Sequence, residues 1–157
     1  IGYELNHDMD FSNIFYNITK MTKILDDDYN KDSSFGIDAY KEYNFMGARE
    51  QAKNGYQIVK RSFYYTTGLD SISLLKTLVF IINNIDDTVM FKRCGTIEKY
   101  KEVKKMIANL DLHLLDTEQY GEINKVNDYC INNNISTGGA CDMLICTIFL
   151  KELLSRM

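Results

Sequence analysis

Residues 70–88 read DSISLLKTLVFIINNIDDT. Ile72, Leu74, Leu75, Leu78, Val79, Phe80, Ile81, Ile82 and Ile85 fall on nearly every side of a 3.6-residue spiral. A helix that is apolar all round has no face to give to water, so it belongs at the centre of a helical core. Asp70 or Ser71 can cap its start by accepting the first unpaired backbone N–H groups. The polar cluster Asp86-Asp87-Thr88 marks its end.

The flanking sequence repeats the helical period. Phe11, Ile14, Phe15, Ile18, Met21 and Leu25 recur at spacings of three and four, predicting a helix over 11–28 that Asp10 or Ser12 can cap. Asp26-Asp27-Asp28 through Ser34 reads as an exposed loop, because an acidic run opposes the negative end of a helix dipole. A short helix is predicted over 36–44 and a longer one over 47–64. Gly55 in the middle of the longer one costs about 1 kcal/mol against Ala and marks a kink or a close packing contact. Thr96 opens a helix with Ile97, Tyr100, Val103, Ile107 and Leu110 turned inward. Another spans 117–132 with Tyr120, Ile123, Val126, Cys130 and Ile131 as its buried set. The last runs from Gly139 to Arg156. No period-two segment of any length interrupts them, and no repeat or linker divides the chain. The prediction is one all-α domain, residues 1–157, of six or seven helices around a buried central one.

Composition agrees. The 157 residues include no Pro and no Trp, which favours long helices over many tight turns. The chain is long enough for a hydrophobic core of its own. A net charge of −4 and a pI of about 5.2 give no basic face for nucleic acid. No apolar run is long and uninterrupted enough to span a membrane, and no signal peptide opens the sequence. Cys94, Cys130, Cys141 and Cys146 show no C-x-x-C spacing, and His7 and His113 stand away from any Cys pair. This reads as free thiols in a reducing, cytoplasmic setting rather than a zinc site.

Three polar clusters interrupt the helices. In the first, Arg49 and Glu50 open a helix, where an Arg opposes the dipole and calls for an acidic neighbour or a phosphate. In the second, Asp86 and Asp87 crowd two carboxylates at the end of the most buried helix. That arrangement persists beside a cation such as Arg93 or a magnesium ion, or as a solvated turn. In the third, Ser136-Thr137-Gly138-Gly139, followed by Asp142, precedes an apolar helix. Its free N–H groups suit phosphate, and the glycines suit either close ligand approach or tight packing. The string His7-Asp8-Met9-Asp10 precedes a helix start, where Asp residues belong as caps.

These clusters carry a resemblance. Residues 41–59, KEYNFMGAREQAKNGYQIV, resemble the R-G-E-A stretch of triphosphoribosyl-dephospho-CoA synthases. Residues 84–95, NIDDTVMFKRCG, are similar to that family's H-V-E-D-T-N-L-L-H-R-G-G, and residues 133–150, NNISTGGACDMLICTIFL, to its N-L-S-P-G-G-S-A-D-L-L. The three occur in family order and cover almost the whole chain. The departures are Thr137 for Pro, Cys94 for the first Gly after the Arg, Lys92 at a His position and Gln51 at an acidic one. The family's N-terminal motifs have no counterpart here, so the resemblance implies the C-terminal half of such an enzyme, its N-terminal half missing.

The resemblance also implies a function: joining ATP to 3′-dephospho-CoA with release of adenine. The product is the prosthetic-group precursor of citrate lyase or malonate decarboxylase acyl carrier protein. On that implication Asp86 and Asp87 would bind Mg²⁺ or stabilise a ribosyl cation, and Arg49, Glu50 and Arg93 would lie at the nucleotide phosphates. Ser136, Gly138 and Gly139 would present a helix start to phosphate, and Asp142 would orient one of these groups. The competing expectation is a non-catalytic helical nucleotide-binding or dimerisation module. Half of a helical enzyme would leave apolar surface to cover, and self-association into a homo-oligomer is one way to cover it.

Overall fold

The computed structural model describes residues 11–22, 33–110 and 120–155, and every helix or strand assigned among them is a helix. There are nine: α1 Phe11–Met21, α2 Phe35–Tyr43, α3 Ala48–Lys53, α4 Gln57–Tyr65, α5 Ser71–Asn84, α6 Thr88–Cys94, α7 Ile97–Ala108, α8 Tyr120–Asn132 and α9 Gly138–Ser155. The all-α expectation holds. The strings His7–Asp10 and Asp26–Asp28 lie outside the described residues, as does the predicted continuation of α1.

The two helices beyond the predicted number have physical causes. The 47–64 helix is broken at Gly55 and Tyr56, both left-handed, with φ of +68° and +50°. A Cβ on Gly55 would lie 2.6 Å from Thr19 Oγ1 and 2.8 Å from the Phe15 carbonyl oxygen. Gly55 is therefore both a close contact with α1 and a full break. The second is α6, which begins immediately after Asp86-Asp87 because Asp87 caps it.

Local chemistry sets most boundaries. The side chains of Ser34, Asp70, Asp87 and Thr96 each accept backbone N–H groups of the helix they precede. Gly95 ends α6 in the left-handed region.

The core lies where α9 packs on α4, α5 and α6, and α5 packs on α4 and α7. The predicted central helix α5 buries Thr77, Val79, Ile81 and Ile82, but it shares the centre with α9. Thr77 and Thr147 are fully buried, and each hydroxyl bonds a carbonyl one turn back, Ser73 O at 2.8 Å and Met143 O at 2.9 Å. Returning the bond to its own helix removes most of the cost of burying a hydroxyl. At the outer edge, α8 half-buries Ile123, Val126 and Cys130, but Ile131 is 63% exposed. This corrects the predicted inward set. One residue past Cys130 is a turn of about 100°, which carries Ile131 off the contact face. On α9, Ile145 and Phe149 are exposed as well. Cys94 is buried and the other three thiols are half-buried, all unpaired.

Candidate functional site

The site grows from one carboxylate. Asp87 is 1% exposed. Its Oδ1 accepts the N–H groups of Val89 and Met90 at 2.9 and 3.0 Å, the first turn of α6. Its Oδ2 accepts the N–H of Ala140 at 2.9 Å, in the first turn of α9. One buried charge thus meets the positive ends of two helices, the arrangement that offsets the loss of water around a carboxylate. The N–H of Asp87 donates to Tyr100 Oη at 3.2 Å. Gly139 permits the approach, since a Cβ there would stand 3.0 Å from Asp87 Oδ1.

Asp86 faces the other way. It is half-buried, and its Oδ2 accepts the N–H of Met46 at 3.1 Å. That bond fixes the turn before α3, where a Cβ on Gly47 would lie 3.0 Å from Thr88 Cγ2. An aromatic cluster holds the turn from behind. Phe45 lies 5.0 Å from both Phe91 and Tyr100, and Phe91 lies 5.4 Å from Phe35. Beneath the pair, the ammonium of Lys104 donates to the carbonyls of Ile82 and Ile85 at 2.5 and 2.7 Å. Burial pulls its pKa down, and the charges of Asp86 and Asp87 oppose that pull.

Two hollows share a wall at Gly36 and Thr88. A cavity of about 180 Å³ is lined by Gly36, Gly47, Ala48, Arg49, Glu50 and Thr88. A groove of about 530 Å³ is lined by Phe35, Gly36, Thr88, Val89, Lys92 and Arg93. Arg49, Lys92 and Arg93 are exposed, whereas Glu50 is 7% exposed. Burial raises the pKa of Glu50 above its usual value, while the backbone N–H groups of Glu50 and Gly47 and the charge of Lys53 act in the opposite sense.

The three polar clusters of the sequence therefore meet, but not with all their members. Arg49, Glu50 and Arg93 share hollows with Thr88, which follows Asp86 and Asp87, and Gly139 packs against Asp87. Gly138 is pressed against Val89, with a Cβ there 3.1 Å from Val89 Cγ1, so tight packing accounts for both glycines. Ser136 is exposed and, with Thr137 and Gly138, lines a different, apolar cavity of about 380 Å³ under α5, α7 and α8. Asp142 is exposed, and its negative charge is felt by Tyr56 and Cys146. Sequence reading missed Lys104 and Gly36. Lys104 was accessible to it, because a Lys four residues after Tyr100 and three before Ile107 falls on the inward face of α7.

Among the described residues no group of three or more His, Cys, Asp or Glu side chains is placed to hold a metal. Both oxygens of Asp87 already accept backbone N–H groups. Asp86 retains acceptor capacity and some exposure. Such a donor set does not fit a caged ion. It fits an ion that arrives on phosphates and takes one protein carboxylate, the common mode for Mg²⁺.

The chain shares sequence with known proteins over most of its length. A 2-(5''-triphosphoribosyl)-3'-dephosphocoenzyme-A synthase of Haemophilus ducreyi is 28% identical over 131 residues, 80% of this chain and 40% of that protein. The protein named CitXG from Leuconostoc mesenteroides subsp. cremoris is 31% identical over 122 residues, 74% of this chain and 26% of that protein. A probable synthase of the same name from Streptococcus equi subsp. equi is 24% identical over 140 residues, 83% of this chain and 46% of that protein. The chain spans less than half the length of each of these relatives. No solved structure matches it. A family model described as ATP:dephospho-CoA triphosphoribosyl transferase matches residues 8–157, and with that match over nearly the entire sequence, the chain belongs to the ATP:dephospho-CoA triphosphoribosyl transferase family.

Proposed function

We propose that this chain forms part of an enzyme that transfers the triphosphoribosyl group of ATP to 3′-dephospho-CoA and releases adenine. The observation that carries the reading is the meeting of Asp86, Asp87 and Thr88 with Gly47–Glu50 on one side and Gly139–Ala140 on the other. These are the segments in which the family resemblance lies. Thr88, at the centre of that meeting, also lines the groove of Lys92 and Arg93, which suits a bound triphosphate.

In this reading Arg49, Lys92 and Arg93 bind the triphosphate, which stays on the product and needs only to be held. Mg²⁺, when bound, would neutralise the phosphates, with Asp86 as its protein carboxylate. Asp87 acts through the backbone: it keeps the starts of α6 and α9 together, so that Thr88 and Val89 stay in the groove wall. Ser136 and the start of α9 remain candidates for a further phosphate, and Asp142 for orienting it. The reaction is a glycosyl transfer with an oxocarbenium-like transition state. The proposed substrates place the work in the cytoplasm, and the product would serve citrate lyase or malonate decarboxylase acyl carrier protein.

The test is adenine release by the full-length protein in which this sequence occurs, supplied with ATP, Mg²⁺ and 3′-dephospho-CoA. Adenine that appears only with dephospho-CoA present supports the transfer. ATP binding without any adenine would overturn it in favour of a nucleotide-binding module.

A further inference from the structure

Glu50 is a buried acidic side chain of the site whose contacts account for only part of its carboxylate. It is 7% exposed, and its Oε1 has no hydrogen-bond partner among the described residues. A carboxyl oxygen taken out of water and left unpaired destabilises the fold. Local structure accounts for at most half of the group. Glu50 is the third residue of α3 after its N-cap Gly47, and a Glu there can reach back to the cap N–H with one oxygen. The other oxygen has no such task. Glu50 lines the cavity of about 180 Å³ that shares Gly36 and Thr88 with the groove of Lys92 and Arg93.

We infer that Glu50 is the general base of the transfer, accepting the proton of the attacking dephospho-CoA hydroxyl on Oε1. This rests on the function proposed above. With the triphosphate along Lys92 and Arg93, the ribose reaches the Gly36–Thr88 wall, and the adjoining cavity brings the hydroxyl to Glu50. An unpaired, buried acceptor suits a hydroxyl donor, and its burial makes it a stronger base than an ordinary carboxylate. The charged groups around it are Lys53 on its own helix and Arg49 in the cavity wall, with Lys92 and Arg93 in the adjoining groove. The step balances. The hydroxyl oxygen forms a bond to C1′ of the ATP ribose, and its proton passes to Oε1. The C1′–N bond breaks with its electron pair leaving on adenine, and the carboxylic acid then returns the proton to adenine through solvent.

The experiment compares Glu50→Gln and Glu50→Asp with the wild-type full-length protein, reading adenine release, ATP binding by calorimetry and thermal unfolding. The Gln variant should bind ATP within about threefold of wild type, melt no lower, and lose kcat by about 100-fold or more, the usual contribution of a general base. The Asp variant should retain more kcat than the Gln variant. A Gln variant with kcat within about fivefold of wild type overturns the assignment and leaves the transfer reading standing. Should the Gln variant fail to fold, the Asp variant decides. A kcat loss of about tenfold or more with ATP affinity kept supports the role, and an unchanged kcat overturns it. A wild-type protein that releases no adenine with dephospho-CoA overturns the function proposal and this assignment together.

Discussion

Ala140 donates its backbone N–H to Asp87 Oδ2 at 2.9 Å, across 53 residues of sequence. Through that bond an N-cap of α6 also caps α9, and two helix starts share one carboxylate. The consequence is a split between the adjacent acids. Asp87→Ala leaves three backbone N–H groups without their acceptor, two of them deep in the core, and should cost about 3 kcal/mol or more. Asp86→Ala loses a single bond from Met46 at a half-exposed site and should cost about 1 kcal/mol. Urea denaturation of the two variants measures the difference. Equal midpoints would contradict the clamp.

Gly55 and Gly95 make a second comparison. Both are left-handed, at φ of +68° and +78°, so Ala at either position carries a conformational cost of about 1 kcal/mol. Only at Gly55 would the new methyl also meet α1, 2.8 Å from the Phe15 carbonyl oxygen. Gly55→Ala should therefore destabilise by about 2 kcal/mol more than Gly95→Ala, adding an overpacking cost to the shared strain. Thermal unfolding of the pair checks it.

The pH dependence of stability isolates Glu50. Its folded-state pKa is raised by burial above the ordinary value of 4.5, so the folded protein holds the proton more tightly than the unfolded chain. The contribution is fully present below the unfolded pKa and is lost as pH rises through the folded one. Wild type should lose stability over that window relative to Glu50→Gln, and above it the Gln variant should be the more stable. Denaturation midpoints of both proteins from pH 4 upward test the sign, and parallel curves would refute it.

Arg93→Ala should weaken ATP binding by about tenfold or more, the worth of a charge-assisted phosphate contact. It should leave the unfolding midpoint within about 0.5 kcal/mol, because the side chain is exposed. Calorimetric titration at two salt concentrations gives the result. The loss should shrink as salt screens the wild-type contact.

The sequence by itself determined the class and most of the helices. Apolar residues at spacings of three and four located α1 and α7, and nearly continuous apolar runs located α5 and α9. Asp70 and Thr96 announced helix starts because capping is a local bond, made within three residues and so visible in the string. It also marked Gly55, Asp87 and Gly139 as unusual positions. Only the tertiary structure decided what each was for. Whether Gly55 kinked or ended its helix depended on α1 lying against it. Whether Asp87 stood in a solvated turn or was buried with both oxygens occupied depended on α9 returning over half a hundred residues later. Ile131 read as buried beside Cys130, yet a step of about 100° round the helix leaves it exposed. Glu50 read as part of a charged helix start, yet α3 folds inward and its Oε1 is left unpaired. Bonds within a turn are written in neighbouring residues, whereas burial, pairing and cavity walls depend on which distant segments come to share a space.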